Sequence, residues 1–231
     1  MSFFKRNNPN VLGVDISSSA VKLIELSRHG SRYRVESYGV APLPENAVID
    51  NNFADIEAIG QTLTTALDRS GTKLKQAALS VSGSAVITKI VTIPEPDGED
   101  ELEAQVEMLA DQYIPYSLDE VNLDFSVIGP NDKNASMIDV QLAASRRENI
   151  DDRVAVLDLA GLKAKIVDVE SYALENAYGL LQDALPDYGP DATIAIADTG
   201  SMVTTLNIIH KNKVIYSREQ GFGGKQLTEE I

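Results

Sequence analysis

The chain contains no cysteine, no tryptophan and only two histidines among its 231 residues. Without cysteine it can hold neither a disulfide nor a thiolate metal site, and a cytosolic setting suits it better than an oxidising one. His29 and His210 do not build a convincing zinc site, and each reads as a surface histidine on a strand or turn. Basic residues are scarce too: 20 Lys and Arg stand against 35 Asp and Glu, a net charge of −15. That balance argues against a non-specific grip on a phosphate backbone, so nucleic acid is not an expected partner. No run approaches the roughly 18 apolar residues of a membrane span. The opening MSFFKRNNPN lacks the apolar stretch of a signal peptide, and Phe3-Phe4-Lys5-Arg6 is too short to weigh as a membrane contact. A Walker A loop is missing, since Gly224-Lys225 is followed by Gln226, and no G-x-G-x-x-G spacing occurs around Gly221, Gly223 and Gly224. What is present is an ordinary globular composition, 43% hydrophobic and 24% charged. At about 150 residues per domain the length allows one large domain or two smaller ones.

Alternation predicts strands at Val11 to Ile16, Ala20 to Leu26 and Arg32 to Val40, joined as an antiparallel meander. Ile56, Ile59, Leu63 and Leu67 recur at steps of three and four and predict a helix over Asp55 to Leu67, ended by Ser70-Gly71. Gln76 to Val81 is a nearly continuous apolar run and predicts a buried strand, completing a βββαβ unit.

Residues 90 to 132 hold twelve acidic side chains and no Lys or Arg. Leu102, Val106, Leu109 and Tyr113 form a helical stripe within this block, and the acids from Asp97 to Glu101 sit where a helix N-terminus favours negative charge. Strands are predicted at Val121 to Ile128 and Met137 to Ala144 around a Gly129-Pro130-Asn131-Asp132 turn, then a helix at Asn149 to Leu159. The whole reads as an inserted βαββα subdomain over 84–161. Alternation then resumes with a strand at Lys165 to Val169, a helix at Ser171 to Leu185, a Pro186 to Pro190 connector and a strand at Ala192 to Ala197. A strand at Val214 to Arg218 and a glycine-rich entry to a helix, Gly221-Phe222-Gly223-Gly224, follow. Thr228-Glu229-Glu230-Ile231 shows no cap or breaker, from which a longer gene product is expected.

One local design occurs twice, as Gly13-Val14-Asp15-Ile16-Ser17-Ser18-Ser19-Ala20-Val21-Lys22 and as Ile196-Ala197-Asp198-Thr199-Gly200-Ser201-Met202-Val203-Thr204. In each, an acid closes a buried strand and small or hydroxylated residues follow, whose N–H groups can turn towards an anion. Two facing hairpins would surround a polyphosphate while Asp15 and Asp198 hold a divalent cation through its waters, as Mg²⁺ prefers. Either hairpin alone is equally an ordinary Asp-Ser or Asp-Thr-Gly turn.

Together and in this order, the two hairpins resemble the phosphate motifs of the actin, hexokinase and Hsp70 ATPase superfamily. Ile166-Val167-Asp168-Val169-Glu170-Ser171 resembles its connecting strand and helix, in which Glu170 takes the place of the residue that orients the attacking water. An acid at the start of a helix is also favourable for its own sake. Lys22 matches the superfamily lysine that reaches the phosphates, and Gly223-Gly224 the glycine pair near the nucleotide. The resemblance implies an α/β, actin-like ATPase fold with an RNase H-like βββαβ core: residues 1–83 and 162–187 as subdomain 1A, 84–161 as inserted subdomain 1C, and 190–231 as the start of subdomain 2A. An insertion at this place is similar to FtsA and PilM. The run Gln112-Tyr113-Ile114-Pro115-Tyr116 followed by Asp119-Glu120-Val121-Asn122-Leu123-Asp124-Phe125 resembles the PilM family in particular.

The PilM resemblance implies a cytoplasmic scaffold of the type IV pilus inner-membrane assembly complex. Such a protein binds ATP and Mg²⁺, grips the cytoplasmic N-terminal tail of PilN, is linked to other inner-membrane and motor proteins, and is peripheral to the membrane through those partners. A basic tail would be steered by the acidic block, which otherwise is a solvated face. The implied nucleotide residues are Ser17, Ser18, Ser19, Lys22, Thr199, Gly200, Ser201, Met202 and Gly224, with Glu170 catalytic and Asp15 and Asp198 at the metal. Ser201-Met202 and Ser17-Ser18-Ser19 depart from the acids and glycines common there, which points to binding with at most slow hydrolysis. The superfamily's adenosine motif lies in a later half, so this chain is expected to bind ATP poorly. The rival readings are an FtsA-like protein that binds FtsZ and membrane, and a divergent kinase of the same superfamily.

Overall fold

The computed structural model describes residues 10–30, 32–49, 51–182 and 191–231. They fall into two compact units, the first formed by the described residues up to 82 and from 152 onward, the second by residues 83–151. Phe3 to Arg6 and the Pro186 to Pro190 connector lie outside the described residues. Among the described residues no helix is long and apolar enough to cross a membrane.

The first unit is built on a five-stranded sheet. Strands β1 (Leu12–Ile16), β2 (Ala20–His29) and β3 (Arg32–Pro42) form the predicted antiparallel meander, with a bulge where β2 passes from Glu25 to Leu26. A two-residue hairpin, β4 (Val48–Ile49) and β5 (Asn52–Phe53), leads into helix α1 (Ile56–Ser70). Strand β6 (Gln76–Val81) then pairs parallel to β1. Alternate β6 side chains, Ala77, Leu79 and Val81, are buried while the others are half-buried, so this strand is covered more on one face than its composition implied.

Helix α1 follows from its caps and its stripe. The N–H of Ala58 donates to Asp55 Oδ1 at 2.9 Å, and Gly71, with φ 66°, closes the C-terminus by donating to the Leu67 carbonyl. Ile59, Leu63 and Ala66 are fully buried against Leu12, Val14, Val21, Leu23 and Leu79 of the sheet. Asp55→Ala is expected to cost about 1 kcal/mol in urea unfolding, with Asp55→Asn nearly neutral because its amide oxygen still caps.

In the second unit, β7 (Val86–Pro94), helix α2 (Glu99–Tyr113), β8 (Val121–Asn131) and β9 (Asn134–Arg146) make an antiparallel sheet ordered β7-β9-β8 under one helix. Val106 of α2 meets Val91, Ile93, Val140 and Leu142, with Leu102 and Leu109 beside it. Tyr113, counted with this stripe in the sequence, is exposed at its edge with Lys89 Nζ 5.3 Å from its ring. The expected turn at Gly129 to Asp132 is displaced. Bulges beside Gly129 and Asn131 let β8 continue to Asn131, so the chain reverses through Asp132-Lys133 instead. All twelve acids between residues 90 and 132 are exposed.

Helix α3 (Arg147–Leu159) corrects the predicted domain boundary. The sequence pattern places this helix in the insertion, but Val156 and Leu157 are fully buried in the core of the first unit with Leu12, Ile59 and Leu63. The compact second unit accordingly ends at Asp151, inside α3. Beyond it, β10 (Lys163–Val169) pairs parallel to β6, giving the order β10-β6-β1-β2-β3, and helix α4 (Glu170–Leu181) starts one residue earlier than expected. An antiparallel sheet of β11 (Thr193–Thr199), β12 (Thr204–His210) and β13 (Lys213–Gln220) and the short helix α5 (Gly224–Glu229) complete the chain.

Candidate functional site

Asp15 near the end of β1, Ser82 just past β6 and Glu170 just past β10 all lie at the carboxyl ends of parallel-paired strands. In open α/β sheets that edge is where ligands bind. The repeat seen in the sequence is also a repeat of geometry. Two residues after Asp15, the N–H of Ser17 donates to the Ala20 carbonyl at 3.0 Å; two residues after Asp198, the N–H of Gly200 donates to the Val203 carbonyl at 2.9 Å. Both turns are closed by the same bond at the same offset from an aspartate. The Ser17 and Gly200 amides are therefore spent on their own turns, while those of Ser18, Ser19, Ser201 and Met202 take no part in the bonds that close them.

The charged groups of the two hairpins converge on the start of α4. Burial first, then the charges of Glu219, Asp15 and Asp198, push the Glu170 carboxyl up to about 7, with Arg153 pulling the other way. Lys22 Nζ donates to Asp15 Oδ2 at 2.9 Å, and this bond, reinforced by the charges of Asp15, Asp198 and Glu170, raises the lysine pKa against a desolvation that lowers it. The lysine expected to reach phosphate thus rests on an acid expected to hold metal. Its counterpart in the second hairpin, seven residues after Asp198, is Thr205. Among the described residues no group of three or more acidic or histidine side chains stands close enough to hold a metal ion directly.

The glycine loop approaches the second hairpin through its backbone. Gly224 N–H donates to the Gly200 carbonyl and Lys225 N–H to the Ser201 carbonyl, each at 2.9 Å. A β-carbon on Gly223 would lie 2.4 Å from the Ser201 oxygen and 2.7 Å from the Gly200 oxygen, whereas one on Gly224 would have only a 3.8 Å contact. Within the glycine pair it is thus Gly223 whose missing side chain lets this loop pack on the second hairpin.

Asn51, Ser82, Arg153 and Glu219 carry no motif in the sequence, yet they lie beside these groups. Arg153 is buried, donates through Nε to the Ser80 carbonyl at 3.0 Å and lies 4.7 Å from the Phe53 ring. Desolvation lowers its pKa, opposed by Asp152 and Glu170. An arginine at a position of α3 that faces the core, three residues before Val156, was the available signal.

Residues 13–231 match the family model described as type IV pilus assembly protein PilM. The chain belongs to the PilM family. It is similar to the solved PilM-PilN type IV pilus biogenesis complex at 26% identity with a TM-score of 0.77, over 96% of this chain and 64% of that one. Similar folds occur in the ethanolamine utilization protein EutJ from Carboxydothermus hydrogenoformans (15% identity, TM-score 0.51, 96% of this chain and 55% of that one). The cytoplasmic domain of EpsL, an inner membrane component of the Vibrio cholerae type II secretion system, is likewise similar (13%, 0.50, 92% and 71%). The α/β fold implied by the paired hairpins is thus the fold of this PilM family member. The chain spans 64% of the length of the PilM-PilN relative it matches.

Proposed function

We propose that this chain is the PilN-binding and phosphate-facing part of an actin-like scaffold in type IV pilus assembly, cytoplasmic and held at the inner membrane through its partners. The carrying observation is its similarity, over 96% of its length, to a structure described as a PilM-PilN complex. The cytoplasmic N-terminal tail of PilN is the ligand this reading assigns, with other inner-membrane and motor proteins as further partners. A tail of basic character suits the exposed acids between residues 90 and 132. The division into subdomains 1A, 1C and the start of 2A belongs to the same proposal, with the 1C boundary moved to the N-terminal part of α3.

For the phosphate side, the residues fit a nucleotide with a hydrated cation. The three acidic side chains whose fields add at Glu170, those of Glu219, Asp15 and Asp198, want positive charge among them, and a cation that keeps its waters would supply it. Asp15 and Asp198 would hold Mg²⁺ through those waters, and the ion would supply neutralisation of a polyphosphate. Ser17, Ser18, Ser19, Thr199, Gly200, Ser201 and Met202 form the two turns that would flank the ATP phosphates, with Gly224 entering from the glycine loop. Lys22 would exchange Asp15 for a phosphate oxygen. Glu170 would act as the base that orients a water, with hydrolysis slow at most.

The test is calorimetric titration of the chain with a synthetic PilN N-terminal peptide, with and without Mg-ATP. Micromolar binding that weakens as salt is raised and does not depend on nucleotide is the expected result. No heat in a sample folded by circular dichroism overturns the scaffold reading, and binding of an FtsZ tail in its place would give the FtsA-like one.

A further inference from the structure

Glu219 is the penultimate residue of β13, two residues before the loop Gly221 to Gly224, and the proposed function gives it no task beyond its charge. Its two oxygens are nevertheless engaged far away in sequence. Ser82 Oγ donates to Oε1 at 2.5 Å, and Asn51 Nδ2 donates to Oε2 at 3.2 Å while also reaching Ser82 Oγ at 3.2 Å. Ser82 is buried, and Asn51 takes a left-handed backbone, φ 63°, that asparagine tolerates better than most residues. Hydrogen bonds to an ionised acceptor are among the stronger ones a protein makes, and more so where water is excluded.

The places joined by this carboxylate give the contact its interest. On one side, Glu219 is tethered to the glycine loop, whose Gly224 and Lys225 amides bond the Gly200 and Ser201 carbonyls of the second hairpin. On the other, Ser82 is the last residue of the first compact unit, and Gly83 begins the second. The other end of β13 is fastened as well: Val214 N–H donates to Glu175 Oε2 of α4 at 2.6 Å and Lys213 Nζ to Oε1 at 2.9 Å. Strand β13 is thereby pinned by carboxylate hydrogen bonds at both ends, and its far end is the one beside the glycine loop.

We propose that Glu219 is a positioning residue: its bonds to Ser82 and Asn51 make the glycine loop and the segment entering the second unit one mechanical piece, so that displacement of either displaces the other. This deepens the reading given above, on which the loop faces nucleotide and the second unit faces peptide, but it concerns only the chain's own coupling. The test accordingly uses neither ligand, and a failed peptide titration would leave it standing.

Hydrogen exchange by mass spectrometry on the chain, with Ser82→Ala, Glu219→Ala, their double variant and Glu219→Gln, reads the coupling directly. Ser82→Ala is expected to speed exchange of the amides at 221–225 roughly tenfold, and Glu219→Ala to do the same at 83–86, with β1 to β3 unaffected. The double variant should show no more than either single one. Glu219→Gln, whose amide oxygen still accepts from Ser82, should restore protection at 83–86. Effects confined to each residue's own neighbourhood, or single effects that simply add in the double variant, overturn the proposal.

Discussion

Gly39→Ala is expected to lower the thermal midpoint of the chain by about 6–12 °C, a loss of about 3 kcal/mol. A β-carbon on Gly39 would lie 2.3 Å from the carbonyl oxygen of Ala66 and 3.1 Å from Ser70 Cβ, both in α1. The obstacle is helix backbone, which no rotamer change can move aside. To make room α1 must lift from β3, and Leu63 and Ala66, fully buried in the core below, lose contacts with it. Gly98→Ala is the comparison, since nothing lies within 4 Å of its would-be β-carbon and its backbone is extended; only the preference for glycine over alanine at the N-cap of α2 is lost, so its midpoint should fall by no more than about 4 °C. Circular dichroism melts of both variants decide the matter. An unchanged Gly39→Ala midpoint would mean that α1 does not rest on the β3 backbone.

Glu170→Gln is expected to make the chain more stable at pH 8 and to change little at pH 4. With its carboxyl held up to about 7 in the folded chain against an ordinary 4.5, Glu170 keeps its proton over a range where the unfolded chain has lost it. Its contribution to stability is therefore complete below about 4.5 and is lost as pH rises through about 7. Above that, an ionised Glu170 stands unfavourably among Glu219, Asp15 and Asp198, and the neutral amide removes the conflict. The interval between the two values sets an upper bound of about 3 kcal/mol, which partial contact with water brings to about 1–2 kcal/mol, or some 3–6 °C. Calorimetric melts of both proteins in chelator from pH 4 to 8 test this. Parallel curves would place the conflict on another acid.

The elements that sequence made legible are those whose signal is local. Asp55 and Gly71 bracket α1 by their own chemistry, and the meander β1 to β3 follows from alternation. The duplicated Asp turn was visible as well, because an aspartate followed by small residues is a short-range pattern. What was not legible depends on distant partners. Arg147 to Leu159 reads as a helix, but only the sheet below decides that Val156 and Leu157 belong to the first unit's core. Gly129-Pro130 looks like a turn, yet the register with Asp139 and Ile138 carries the strand past it through bulges. Gly223 and Gly224 are alike in sequence, and only the carbonyls of Gly200 and Ser201 distinguish them. Glu219 and Ser82, 137 residues apart, carry no local mark of each other.

The exposed acids of the second unit bear on how copies of this chain meet. Twelve negative charges between residues 90 and 132, all exposed and with no Lys or Arg between them in sequence, repel the same acids of another molecule. At physiological salt the screening length is about 8 Å, so the repulsion acts at the separations where two such surfaces would begin to touch. Added salt shortens that range, so any association of copies through these surfaces should strengthen as ionic strength rises.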